Sequence, residues 1–178
     1  MNTRIYNAKI LTMEEGRAIF EGELWIEGDT ITYAGPAKND GGKEWNEQID
    51  AEGNLIMPGF KNAHTHSAMT FLRSHADDMK LDEWLNTRVF PAEAKLTDHD
   101  IYWLTKLAVM EYLTSGITAM FDMYMHRAAG AEAARDTGFR NVFCESINNF
   151  GGTIEEVEAD YHTYNPVSYT HLRAHETG

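Results

Sequence analysis

The sequence predicts an α/β fold in which a small all-β module precedes a series of strand–helix units. Three observations carry this expectation. A near-continuous apolar run at residues 117–123 and a further strand at 139–146 alternate with helix-patterned stretches, as parallel strands joined by helices do. Residues 1–57 are instead short runs of strand formers separated by glycine-rich breaks. Between the two regions lies Met57-Pro58-Gly59-Phe60-Lys61-Asn62-Ala63-His64-Thr65-His66, a Pro-Gly turn followed by a strand that carries two histidines.

In chain order, Arg4-Ile5-Tyr6-Asn7-Ala8-Lys9-Ile10 alternates as a strand, and Glu14-Glu15-Gly16 breaks it. Two strand-like runs, 22–27 and 30–34, flank Gly28-Asp29, a dipeptide that tolerates the positive φ of hairpin turns. Residues 45–51 add one more strand. Residues 67–96 read as a long loop with a short helical piece over 81–87. Thr97 is the N-cap of a helix with Asp98 and Asp100 in its first turn, an apolar stripe of Ile101, Leu104, Ala108 and Tyr112, and Ser115-Gly116 at its end. A short Ala-rich helix over 126–137 closes at Gly138. Thr153-Ile154-Glu155-Glu156 is a capping box that opens a last helix. The expected domains are 1–57, 58–165 and a tail, 166–178.

Composition narrows the function classes. A formal net charge of -13, from 15 basic and 28 acidic residues, argues against a nucleic-acid or anionic-membrane surface. Cys144 is the single cysteine, so neither an internal disulfide nor a cysteine metal cluster is expected. No apolar run approaches a membrane span, and the first residues lack the apolar core of a secretory signal. A soluble cytoplasmic protein is the expectation.

The chemistry starts at His64 and His66. Residues two apart on a strand share a face, so both imidazoles can reach one metal ion while Thr65 points away. Neutral imidazole suits Zn2+ and other borderline divalent metals, Fe2+ included. With eight histidines in the chain, some such pair arises readily by chance, and the Pro-Gly turn and strand context are what single this one out.

The stretch PGFKNAHTHSAMTFLRSHADDMKLDEWLNTRVFPAEAKL resembles the first barrel strand and following loop of the amidohydrolase superfamily. More narrowly, it is similar to the group that holds 5-methylthioadenosine/S-adenosylhomocysteine deaminases and chlorohydrolases. The resemblance covers residues 1 to about 160. It implies the N-terminal fragment of a TIM (β/α)8 barrel, about three βα units with residues 55–66 as the first strand, preceded by half of a β-sandwich. It implies a metal-dependent hydrolase that deaminates an adenosine-type nucleoside, with His64 and His66 as metal ligands. Glu93 matches the family glutamate that hydrogen-bonds the substrate ribose; Trp84, on the short helical piece, can cover a flat small-molecule heterocycle or pack in the core. Other deaminases or chlorohydrolases of the superfamily, or a truncated non-catalytic module, are the alternatives. The full-length parent is expected to be a homo-oligomer.

A complete barrel takes about 250 residues, against 178 here, so the remaining ligands and the proton-shuttling glutamate are expected outside this chain and the fragment itself is expected to be inactive. Asp122, near the end of its strand, can orient a ligand histidine or cap the next turn, and His75 reads as a solvated loop residue. Glu145 falls at the end of the third strand, where the resembled deaminases place an arginine close by; this chain has Cys144-Glu145-Ser146. Residues 167–177, VSYTHLRAHET, are similar to a translated sequencing adapter. On that reading the i, i+4 pair His171 and His175 is a scar rather than a metal site.

Overall fold

In the computed structural model, residues 1–76 and 78–144 are described. The chain divides into two compact units, Met1–Gly59 and Phe60–Gly178. Glu145, the helix expected after Thr153, the tail and its two histidines lie outside the described residues. No helix among the described residues is long and apolar enough to cross a membrane.

The first unit is a five-stranded sheet. β1 (Asn2–Ile10) pairs antiparallel with β2 (Phe20–Glu27), which pairs antiparallel with β3 (Thr30–Gly35). Gly28, at φ +65°, makes the turn between β2 and β3. On its other side β1 takes two short parallel strands, β4 (Glu47–Asp50) and β5 (Leu55–Ile56). The β1–β2 register slips between Ile5 and Ala8, where Asn7 takes a left-handed φ of 54° and donates through its side chain to Asp50 Oδ1 at 2.8 Å. Ala8, Ile10, Leu24 and Trp25 are buried, and so is Glu23, whose carboxylate accepts from the Arg4 guanidinium and from the Lys38 backbone N–H.

One expectation is corrected here. Leu55 and Ile56 do not begin the next region's strand; they pair with Lys9 and Ile10 of β1. The Met57-Pro58-Gly59 connection breaks the run because proline has no N–H to give a ladder. The following strand, β6, is confined to Phe60–Thr65, and His66 sits one residue past its end.

The second unit is a three-stranded parallel sheet in the order β6–β7–β8, with β7 at Ile117–Met123 and β8 at Arg140–Cys144. Residues 67–96 are mostly helical rather than a loop. A 3-10 turn spans Ser67–Leu72, and helix α1 (Leu81–Trp84) runs through a π turn (Leu85–Val89) into α2 (Phe90–Glu93). The helix thus continues past the expected stop at Thr87, carrying Pro91 in the first turn of α2 immediately after the widened turn, where a missing N–H costs least.

Helix α3 (Asp98–Thr114) starts at a reciprocal cap: Thr97 Oγ1 accepts from the Asp100 N–H, and the Asp100 carboxylate accepts from the Thr97 N–H at 2.9 Å. It ends at Ser115, with Gly116 at φ +77°. Ile101, Thr105, Ala108 and Val109 are its buried positions, so Leu104 and Tyr112 flank the packed face instead of centring it. Trp103, Leu107, Met110 and Leu113 remain exposed on the opposite side. Helix α4 (Arg127–Thr137) buries Ala129, Gly130, Ala133 and Ala134; its small residues bring it close to the sheet, and a Cβ on Gly130 would lie 3.0 Å from the Phe143 ring. Gly138, at φ +66°, closes it, with the Phe139 N–H bonded to the Ala134 carbonyl at 2.9 Å. Val109, Met120, Ala134 and Phe139 form one apolar cluster between helices and sheet; Ala68, Ile101 and Ala129 form another.

Two substitutions test this account by denaturant unfolding. Thr97→Ala removes the α3 cap and is expected to cost about 1 kcal/mol. Gly22→Ala places a Cβ 2.2 Å from the Gly35 carbonyl oxygen, and is expected to cost about 1–3 kcal/mol by overpacking; unchanged stability would refute the close β2–β3 approach.

Candidate metal centre and adjoining cleft

Parallel strands deliver their C-terminal ends to one side of a sheet, and the candidate residues gather there. The His64 and His66 rings lie with centroids 5.1 Å apart and planes at 79°. Thr65 turns the other way, its Oγ1 2.6 Å from the Tyr112 hydroxyl on α3. His64 is exposed and His66 half-buried.

His66 Nδ1 lies 2.7 Å from the Met123 carbonyl oxygen at the end of β7. A carbonyl only accepts, so Nδ1 carries the proton and Nε2 keeps the free lone pair. That is the arrangement of a metal-ligating histidine whose second nitrogen is held by the protein. The ring separation agrees. Two imidazoles bound through nitrogen at the usual zinc distance and a tetrahedral angle put their centroids about 5 Å apart. The donor pair therefore fits a divalent metal. No group of three or more metal-binding side chains converges among the described residues.

Asp122 is 1% exposed, and its Oδ1 accepts from the Ser67 N–H at 2.9 Å. Burial pushes its carboxyl up, against the opposing pull of the Ser67 hydrogen bonds. Of the two roles open in the sequence, the structure gives a variant of each. Asp122 anchors the backbone immediately after His66 rather than touching the ring, and it caps the 3-10 turn that follows β6 rather than the turn after its own strand.

Glu93, at the end of α2, is buried, and the Tyr124 hydroxyl donates to its Oε1 at 2.7 Å. Burial, then the hydrogen bond and charge of Glu93, pushes the Tyr124 phenol far up, so it stays protonated as the donor. Trp84 and His66 line one open cleft with Thr65, Ser67, Arg73 and Tyr112. Arg73 and Glu111 form a two-bonded ion pair at 2.8 and 2.7 Å in the lining of that cleft. Trp84 and His66 thus border one cleft, on the α3 side to which Thr65 turns; Glu93 does not line it and is bonded to Tyr124, the residue next to Met123. His75 is exposed. His126, in the connection between β7 and α4, has a left-handed φ of 53°, its Nδ1 2.5 Å from Asp98 Oδ1. Tyr112, Tyr124 and the Met123 carbonyl are the contacts that sequence reasoning misses. The first reads as part of an apolar stripe, the second follows a strand end without a motif, and the third is backbone.

Comparison with known proteins bears on this arrangement. A profile of the amidohydrolase family matches residues 55–175. A 5-methylthioadenosine/S-adenosylhomocysteine deaminase of Symbiobacterium thermophilum is 42% identical over 152 residues, 85% of this chain and 35% of that protein. One from Archaeoglobus fulgidus is 46% identical over 148 residues, 82% of this chain and 33% of its own length. The chain thus spans about a third of the length of these relatives. Among solved structures, a triazine hydrolase from Arthrobacter aurescens superposes with a TM-score of 0.74 at 22% identity, over 88% of this chain and 39% of that one. An adenosine deaminase from Xanthomonas campestris with bound zinc gives 0.72 at 27%, over 79% and 33%. A profile match over most of the chain, on an α/β unit that the solved hydrolases share, is sufficient: this chain belongs to the amidohydrolase family.

Proposed function

We propose that this chain carries the first part of a metal-dependent deaminase site for an adenosine-type thioether nucleoside, such as 5-methylthioadenosine or S-adenosylhomocysteine. The observation that carries the reading is the paired imidazoles of His64 and His66, the latter fixed by the Met123 carbonyl with its Nε2 free. The names of the deaminase relatives supply the substrate class, and the zinc in a neighbouring structure supports a divalent metal.

In this reading the β6–β7–β8 sheet is the opening arc of a (β/α)8 barrel, and the first unit is half of a β-sandwich. His64 and His66 hold the metal through ring nitrogen. When bound, such a metal makes a water molecule acidic enough, at a pKa of about 7, to act as a nucleophile near neutral pH. Glu93 accepts hydrogen bonds from the ribose hydroxyls with the oxygen that Tyr124 leaves free. Trp84, on the cleft that His66 lines, stacks on the purine and keeps water off it. Two imidazoles give a metal weak, open coordination. The remaining ligands and the group that moves the proton to the departing ammonia are assigned to strands outside residues 1–178, which span about a third of the relatives' length and are expected to be inactive alone.

Two measurements test this. Zn2+ titration of the chain is expected to show one site, weakened at least tenfold in His64→Ala and in His66→Ala; binding indifferent to both substitutions would remove the metal role. Ammonia release from S-adenosylhomocysteine is expected to be absent for Zn2+-loaded 1–178 and present for a chain of the relatives' length that begins with this sequence. Turnover by 1–178 would overturn the incompleteness of the site, and none in the longer chain would overturn the deaminase assignment.

A further inference from the structure

His66 is held from both sides along the backbone by a residue that no motif marks. The Tyr112 hydroxyl lies 2.6 Å from Thr65 Oγ1 and 3.0 Å from Ser67 Oγ, so one phenol bridges the residues before and after the imidazole. Ser67 is buried, its N–H bonded to Asp122 and its hydroxyl 3.2 Å from Met120 Sδ. The three hydroxyls form a short chain in which each finds a partner, as half-buried and buried hydroxyls must. Packing does not require this hydroxyl. The Tyr112 ring stacks on Phe139 with centroids 5.8 Å apart, and a phenylalanine would fill the same space.

We propose that Tyr112 is a positioning residue: from helix α3 its hydroxyl braces Thr65 and Ser67 and so fixes the direction in which His66 presents Nε2. The inference rests on reading His66 as a metal ligand. It also assigns α3 a part in the site, since the helix bonds to the end of β6 through that oxygen. A metal ligand has to be held to within about 0.5 Å of its working position. His66 sits one residue past its strand, where the ladder no longer restrains it. The brace supplies on the helix side what Asp122 and Met123 supply from β7.

The test is Tyr112→Phe in the whole chain, with Ser67→Ala as a second variant, read by Zn2+ calorimetry and by 15N NMR of the His66 ring. The proposal expects Zn2+ to bind about tenfold more weakly in Tyr112→Phe, with a faster-exchanging Nδ1–H and with thermal unfolding little changed. Ser67→Ala is expected to give part of the same loss, and the double variant less than the product of the two, because both cut one chain of hydroxyls. A Zn2+ affinity within twofold of the parent and an unaltered ring spectrum in Tyr112→Phe would reduce the hydroxyl to packing and overturn the proposal. Should the parent chain bind no Zn2+, the metal reading fails by itself. The His66 ring signal then decides the brace: a disturbed Nδ1–H in Tyr112→Phe supports it, and an unchanged one overturns it.

Discussion

Parallel pairing of β6 with β7 sets the distance between His66 and the Met123 carbonyl, and the rest of the site depends on that hydrogen bond. It is a bond to backbone, so no side-chain exchange at position 123 deletes it; what preserves it is register. Thr65 faces Asp122 across the ladder, which puts the carbonyl of the next residue beside the next ring. A one-residue slip would turn every side chain of β6 to the other face and take the ring away from its acceptor. The apolar cluster of Val109, Met120, Ala134 and Phe139 is therefore more than ballast: by seating two helices on the sheet it pins the register on which the tautomer of one histidine depends.

A second constraint is electrostatic. Two carboxylates, Asp122 and Glu93, are buried near the strand ends, and each is satisfied by a neutral donor, a backbone N–H for one and a phenol for the other. No arginine or lysine is bonded to either carboxylate among the described contacts. A buried carboxylate held by neutral dipoles keeps much of its field. Such a field favours a cation nearby, in keeping with a pair of imidazoles that offer lone pairs to a metal.

Much of the architecture is legible in the sequence because it is written in local chemistry. The Thr97–Asp100 cap, the Ser115-Gly116 stop, the left-handed Gly138 and the Gly28 turn each need only a few neighbouring residues, and each falls where the residues put it. The errors come where distant partners decide. Leu55 and Ile56 have the composition of any buried strand, and only the free edge of β1 determines which sheet they join. Helix α3 is apolar on two sides, with Trp103, Leu107, Met110 and Leu113 outside and Ile101, Thr105, Ala108 and Val109 inside, so periodicity alone cannot say which stripe is packed. At the site, the two histidines announce themselves by spacing, whereas the oxygens that aim them belong to a tyrosine that reads as apolar and to a peptide group that has no letter.

Strand β6 is hydrogen-bonded only on the side of β7 among the described residues, and its outer border carries the first of the two imidazoles. An unshielded row of amides and carbonyls recruits whatever extended chain it meets. An edge of that kind ties self-association to concentration: the more crowded the solution, the more often two such borders meet.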